Sequence, residues 1–192
     1  KEGKVRYIGA SNLSGERIKE SNDFARKNNL AGYISLQPLY NLYDRQKFET
    51  EYLKLVQDES LAVIPYYSLA SGFLTGKYRS EDLSKSKRGK GIKKYLDERG
   101  LRILAAIDEV AKEKNVQLSK IAIAWLLHKP VITSAIASAT SKKQLSELTQ
   151  ATTLKLSDEQ INKLDNASAW QFEKEEKLVY FFINDIYFTQ LF

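Results

Sequence analysis

The segment Val63-Ile64-Pro65-Tyr66-Tyr67-Ser68-Leu69-Ala70-Ser71-Gly72-Phe73-Leu74-Thr75-Gly76-Lys77-Tyr78 is an apolar run that passes into a Ser/Gly loop and then reaches a lysine. Small residues let backbone N–H groups approach an anion closely, and Lys77 adds positive charge beside them. On residue types alone this is a candidate phosphate loop. A second anion candidate is Ser138-Ala139-Thr140-Ser141-Lys142-Lys143-Gln144-Leu145-Ser146-Glu147-Leu148, which reads as the start of a helix, where free N–H groups favour a phosphate. Ser11, Asn12 and Gln37 bring side chains that both donate and accept hydrogen bonds. Simpler readings stand beside these: a turn and helix start for Ser11-Asn12, the residue before a proline for Gln37, a helix cap for Thr140 or Ser141.

Other chemistries have little to work with. The chain has no Cys and one histidine, His128, which excludes disulfides and thiolate catalysis and argues against a zinc centre. No metal site is expected. His128 falls at a helix end before Pro130 and reads as a surface residue. General acid–base catalysis needs groups placed at the reacting atoms, and no set of residues in the chain suggests one, so no catalytic residue is assigned.

The elements that must position these residues alternate between strand and helix. Apolar strand-like runs fall at Val5–Gly9, Tyr33–Leu36, Leu61–Tyr67 and Val131–Ala137, each followed by helical periodicity. Ser14 can cap the first helix, with Ile18, Asn22 and Ala25 on one face. Phe48, Tyr52, Leu55 and Val56 mark the second. A long loop from Ala70 to about Asp97 precedes a third, with Leu101, Leu104, Ile107 and Val110 or Ala111 facing inward. An apolar helix over Leu118–Lys129 stops at Pro130, another opens at Thr140 or Ser141, and a Ser157/Gln160 capping box starts the last, which ends near Ala167. Strands about 30 residues apart with helices between them imply parallel strands and an α/β class. Polar groups just past every strand (Ser11 and Asn12, Gln37, Ser68, Ser138 and Thr140) favour a partial (β/α)8 barrel over an open sheet, because barrel strands converge on one site at their C-terminal ends. About four βα units are present, half of a closed barrel.

Composition sets the frame. The 192 residues, 43% hydrophobic and 28% charged, can bury a core. The net charge of +6 is local: Lys85, Lys87, Arg88, Lys90, Lys93 and Lys94 crowd one stretch, and the remaining bases and acids balance. Such a run is a solvated loop or a nucleotide-phosphate contact. Nucleic acid is a poor third, since no aromatic residue interleaves it. No apolar run reaches the roughly 18 residues that span a membrane, so a soluble, cytoplasmic protein is expected, with no membrane partner.

Taken together, strand-Gly-x-Ser-Asn ending at Asn12, Gln37-Pro38-Leu39-Tyr40-Asn41, Tyr67-Ser68-Leu69-Ala70-Ser71-Gly72-Phe73-Leu74-Thr75-Gly76-Lys77-Tyr78 and Ala139-Thr140-Ser141-Lys142-Lys143-Gln144-Leu145 closely resemble the C-terminal half of an aldo-keto reductase. The resemblance covers roughly residues 1–170. It implies a (β/α)8 oxidoreductase that binds NADPH without a Rossmann fold and transfers hydride to a small carbonyl, or from an alcohol. It further implies that Ser11, Asn12 and Gln37 hold the nicotinamide carboxamide and that Tyr67 stacks on its ring. Ser68, Leu69, Ser71 and Gly72 would wrap the pyrophosphate with Lys77 nearby, while Ser138, Thr140, Gln144 and Glu147 would contact the adenosine 2′-phosphate and adenine. Two positions depart from the family pattern, which has Gly at Ser138 and Asn at Leu148. Lys142 and Lys143 still favour NADP over NAD.

The family's catalytic Tyr, Lys, Asp and His come from the first half of the barrel. The chain begins at Lys1 and contains no Met, where average usage gives about four. Lys1 is therefore read as an internal start, and the chain as a cofactor-binding half that is inactive alone. Its open edges are expected to self-associate. The alternative is a non-enzymatic binding or structural subunit of the same fold, as in potassium-channel auxiliary subunits. Residues 171–192 form a separate aromatic-rich tail, with seven of the chain's 21 aromatic residues. It either covers an open edge or has no selected role.

Overall fold

The computed structural model describes residues 2–79 and 89–170. The tail at 171–192, Lys85, Lys87, Arg88 and the side chain of Lys90 lie outside the described residues. The elements are β1 (Ile8–Ser11), α1 (Gly15–Lys27), β2 (Tyr33–Gln37), a wide π-type turn (Phe48–Tyr52) leading into α2 (Leu53–Asp58), and β3 (Ala62–Val63). After them come a 3-10 turn (Ala70–Thr75), α3 (Gly89–Ile92), a second 3-10 turn (Lys93–Tyr95), α4 (Glu98–Lys114), α5 (Leu118–His128), α6 (Lys142–Gln150) and α7 (Asp158–Ala167).

The sheet is parallel, in the order β1-β2-β3. Ala10, Leu36 and Val63 are register partners across it, and all three are buried. The alternate positions Ser11 and Gln37 are exposed, so the sheet packs one face on helices and leaves the other open. Parallel strands alternating with helices make the architecture α/β, that of a partial (β/α)8 barrel.

The fourth strand forms only a single parallel bridge, Val63 to Ile132. The segment still follows β3, with the N–H groups of Thr133 and Ile136 donating to Val63 O and Pro65 O. A regular ladder fails because the Thr133 hydroxyl, not a backbone carbonyl, accepts the Val63 N–H at 3.2 Å, and Pro65 has no N–H to give. The first strand is also displaced from the expected Val5–Gly9 toward Ser11; Val5 and Tyr7 are exposed, with no strand beside them among the described residues.

Local signals place the helices. Ser14 caps α1 through the Arg17 N–H, and Ile18, Asn22 and Ala25 form its buried face. Asn22 then opens β2, accepting the Tyr33 N–H at 2.8 Å and donating to Tyr33 O at 3.2 Å. The Ser157–Gln160 capping box starts α7 as expected. In α4, Leu104, Ile107, Val110 and Ala111 are buried, but Leu101 is 47% exposed and Ile103 takes the inward position. Ile121–Leu126 of α5 are all buried, because α4, α6 and both flanking 3-10 turns, Ala70–Thr75 and Ala151–Thr153, surround that helix. No helix among the described residues is long and apolar enough to cross a membrane.

Candidate functional site

The polar residues past each strand meet at one rim of the sheet. Ser11 and Gln37 are register partners, and the Ser11 hydroxyl donates to Gln37 O at 3.0 Å, so the Gln37 side-chain amide makes no part of that bond. Asn12 follows with φ 57°, a left-handed conformation that Asn tolerates. Its Oδ1 accepts the Tyr66 hydroxyl at 3.1 Å. The Tyr66 ring in turn meets Tyr67 edge-on at 5.3 Å. Ser11, Asn12, Gln37 and Tyr67 are thereby joined at the ends of three different strands. Tyr67 itself is 58% exposed, and its positive φ is held by the Asn41 amide and the Ala70 N–H, both donating to Tyr67 O. An exposed aromatic on a braced backbone presents a flat apolar face at low conformational cost.

The Ser68–Gly72 loop is tied down from below. Ser68 is 2% exposed, and its hydroxyl donates to Ile136 O at 2.8 Å, linking the third rim segment to the fourth. Its side chain therefore faces the core, and only its backbone remains for a ligand. Leu69 packs partly against the core. Ala70, Ser71 and Gly72 all have positive φ, at 49°, 57° and 96°. This run leaves the N–H groups of Leu69 and Ser71 with no acceptor among the described residues. Unpaired N–H groups on a small-residue turn suit a phosphate oxygen. Lys77 is exposed nearby in sequence, with no described contact to the loop.

In the fourth segment Ser141, rather than Thr140, caps α6. Gln144 turns back so that its Oε1 accepts the Thr140 N–H at 2.8 Å and the Thr140 hydroxyl at 3.0 Å. Lys142 and Lys143 occupy the exposed first turn, where the helix dipole also favours an anion. Ser138 is exposed and Glu147 half-buried; no hydrogen bond joins either to the other site residues among the described residues. His128 is exposed at the end of α5. Of the basic run, Lys94 pairs with Asp44 at 3.2 Å and lies over the Tyr95 ring.

Sequence reasoning passed over two features. Beneath the rim, the Arg45 guanidinium makes a bidentate pair with Glu49 (2.7 and 3.1 Å) and also donates to Asp165 and Ser168. Burial works against this cation, but Glu49 outweighs it and its pKa is raised. Burial first, and then Glu49, push the Tyr40 hydroxyl well above the ordinary phenol range. The Arg45/Glu49 spacing of i,i+4 was the available signal. A cleft of about 350 Å³ also opens beside Asn12 and Tyr66, with Tyr43, Asp44, Lys47 and Arg99 in its walls. Nothing in the local sequence around Arg99 announces it.

The profile of the Aldo/keto reductase family matches residues 1–169. A probable voltage-gated potassium channel subunit beta of Oryza sativa subsp. japonica is 34% identical over 76% of this chain and 46% of its own length. The L-glyceraldehyde 3-phosphate reductase of Escherichia coli strain K12 is 31% identical over 78% of this chain and 45% of its own. The norsolorinic acid reductase of Aspergillus flavus is 30% identical over 86% and 41%. The chain thus spans a little under half the length of these curated relatives.

Proposed function

The chain belongs to the aldo/keto reductase family, and from that premise we propose that it forms the cofactor-binding part of an NADP-dependent oxidoreductase acting on a small carbonyl or alcohol. The observation that carries this reading is the convergence of Ser11, Asn12, Gln37 and Tyr67 at the ends of three parallel strands, beside a positive-φ loop whose Leu69 and Ser71 N–H groups find no acceptor among the described residues.

These residues fit a dinucleotide. Asn12 and Gln37 would hold the nicotinamide carboxamide, with Ser11 bracing them through Gln37 O. The exposed Tyr67 ring would fix which face of the nicotinamide is presented; such stacking contributes about 0.5–1.5 kcal/mol beyond burial. The Ser68–Gly72 backbone, with Lys77, would take the pyrophosphate. The first turn of α6, with Thr140 and Gln144 already linked and Lys142 and Lys143 exposed, would take the 2′-phosphate, with Ser138 and Glu147 alongside. The bound cofactor supplies the hydride. This chain's residues bind and orient, and the proton-transfer groups come from the complementary part of the barrel, so the chain alone is inactive.

The test is a fluorescence titration of the chain with NADPH, run beside NADH at two salt concentrations. Saturable binding that prefers NADPH, weakens with salt and is reduced by Gln37→Ala and by Tyr67→Ala is the expected result. Absence of binding, or equal affinity for the two cofactors at every salt concentration, overturns it. Reduction of a simple aldehyde by the chain alone, at a rate above buffer, would refute the inactivity.

A second reading, a non-catalytic association subunit, draws on the exposed apolar side chains of Ile8, at the start of the outer strand of the described sheet, and of Val5 and Tyr7 just before it. Concentration-dependent, cofactor-independent dimerisation on size-exclusion chromatography would favour it.

A further inference from the structure

The cleft beside Asn12 holds more cation than its own walls neutralise. Asp44, its acidic wall residue, is occupied: Lys94 Nζ lies 3.2 Å from one oxygen, and the Tyr95 hydroxyl and Asn41 amide donate to the other at 2.7 and 3.2 Å. Arg45 is held by Glu49, and Lys47 faces Glu51 at 3.7 Å. Arg99 remains. It lies 4.1 Å over the Tyr43 ring, and no carboxylate comes within ion-pair distance of it among the described residues. Its Nε is buried and has no hydrogen-bond partner, the one such side-chain atom among the described residues. Asp97, two residues before Arg99, is engaged elsewhere, accepting the Gly100 N–H at 2.7 Å and the Tyr43 hydroxyl at 2.6 Å, and the adjacent Glu98 makes no ion pair with Arg99 among the described residues.

A buried donor without an acceptor is costly, and a guanidinium stacked on an aromatic face keeps its N–H edge free for a planar or tetrahedral oxyanion. Tyr43 and Tyr66 give the same cleft aromatic walls, and Asn12 adds an amide. Asn12 also belongs to the rim assigned to the nicotinamide, so an oxyanion at Arg99 would sit on a molecule that reaches toward that rim.

We propose that this cleft binds the carboxylate or phosphate of a small molecule, with Arg99 as its anchor, and thereby selects anionic substrates. The binding site stands on the cleft itself, while the selection of substrates rests on the oxidoreductase reading.

The experiment follows the arginine Nε–Hε resonances of the full chain by NMR during titration with benzoate, inorganic phosphate or benzyl alcohol. Arg99→Lys assigns the Arg99 resonance and retains the charge. A saturable shift of that resonance with benzoate or phosphate, and none with benzyl alcohol, is expected. Tighter benzoate binding identifies a carboxylate ligand and tighter phosphate binding a phosphorylated one. Arg99→Gln weakens the preferred anion about tenfold, and Arg99→Lys less. The proposal is overturned if neither anion shifts the resonance, if benzyl alcohol shifts it equally, or if a folded Arg99→Gln binds as the parent does. No probe or reporter involves the dinucleotide, so a failed NADPH titration and a failed anion titration are separate results.

Discussion

Arg45 ties the rim of the site to the end of the chain's last described helix, and replacing it tests that connection. Its side chain is 9% exposed and makes five hydrogen bonds, two to Glu49, two to Asp165 and one to Ser168. Trp125 and Trp170 lie 5.3 and 5.5 Å from the guanidinium carbon. Arg45→Met keeps much of the apolar stem but strands Glu49, whose remaining partner is the Tyr40 hydroxyl at 2.8 Å. Asp165 suffers less, because Lys129 and the Trp125 indole N–H still reach it at 2.8–2.9 Å. Removing one partner of a buried pair costs about 3–5 kcal/mol, most of it from the charge left behind. Adding Glu49→Gln removes that charge, so the double variant should lose only about 1–2 kcal/mol, for hydrogen bonds not remade. Urea unfolding followed by far-UV circular dichroism at pH 7 measures both variants. A loss below about 1 kcal/mol for Arg45→Met, or a double variant less stable than the single, refutes the reasoning.

Gly100→Ala should destabilise by about 3 kcal/mol despite alanine's better helix propensity, because a Cβ there would lie 1.8 Å from the Tyr95 carbonyl oxygen; a raised melting temperature would show that no such contact exists. For Asp165, burial raises the carboxyl pKa, but Lys129, Trp125 and Arg45 outweigh it and hold it low, and at Glu59 the Arg26 guanidinium does the same. A depressed folded-state pKa gives stability that is complete above the ordinary carboxylate range, about 4, and is lost as pH falls through the folded value. The urea midpoint should therefore drop on acidification from pH 7 to pH 3, and less steeply in Glu59→Gln. Lys142→Gln/Lys143→Gln should weaken NADPH about three- to tenfold, as expected for two exposed charges, and leave NADH unchanged; parallel fluorescence titrations decide it.

The sequence by itself determined what a single turn can encode. The Ser14 and Ser157 caps, the buried Ile18-Asn22-Ala25 stripe and the break at Pro130 are matters of backbone groups and side chains within about four residues of one another, so they were legible one segment at a time. The motifs past each strand were legible as residue types, and the parallel alternation told that they share one rim. Contacts across long separations were not legible. Thr133 reaches Val63 with its hydroxyl and reduces an expected strand to a bridge; Ser68 turns inward because Ile136 O is there to accept. Leu101 follows the helical repeat nearly as well as Ile103, and only the position of α7 and α5 against α4 selects between them. Arg45 meets Asp165 120 residues away, and Arg99 has no carboxylate partner among the described residues while Asp97 is drawn to Tyr43 and the Gly100 N–H. Periodicity and capping are local energies that the chain carries wherever it goes, while the pairing of buried charges and hydroxyls depends on which segments packing brings together, and that only the tertiary structure decides.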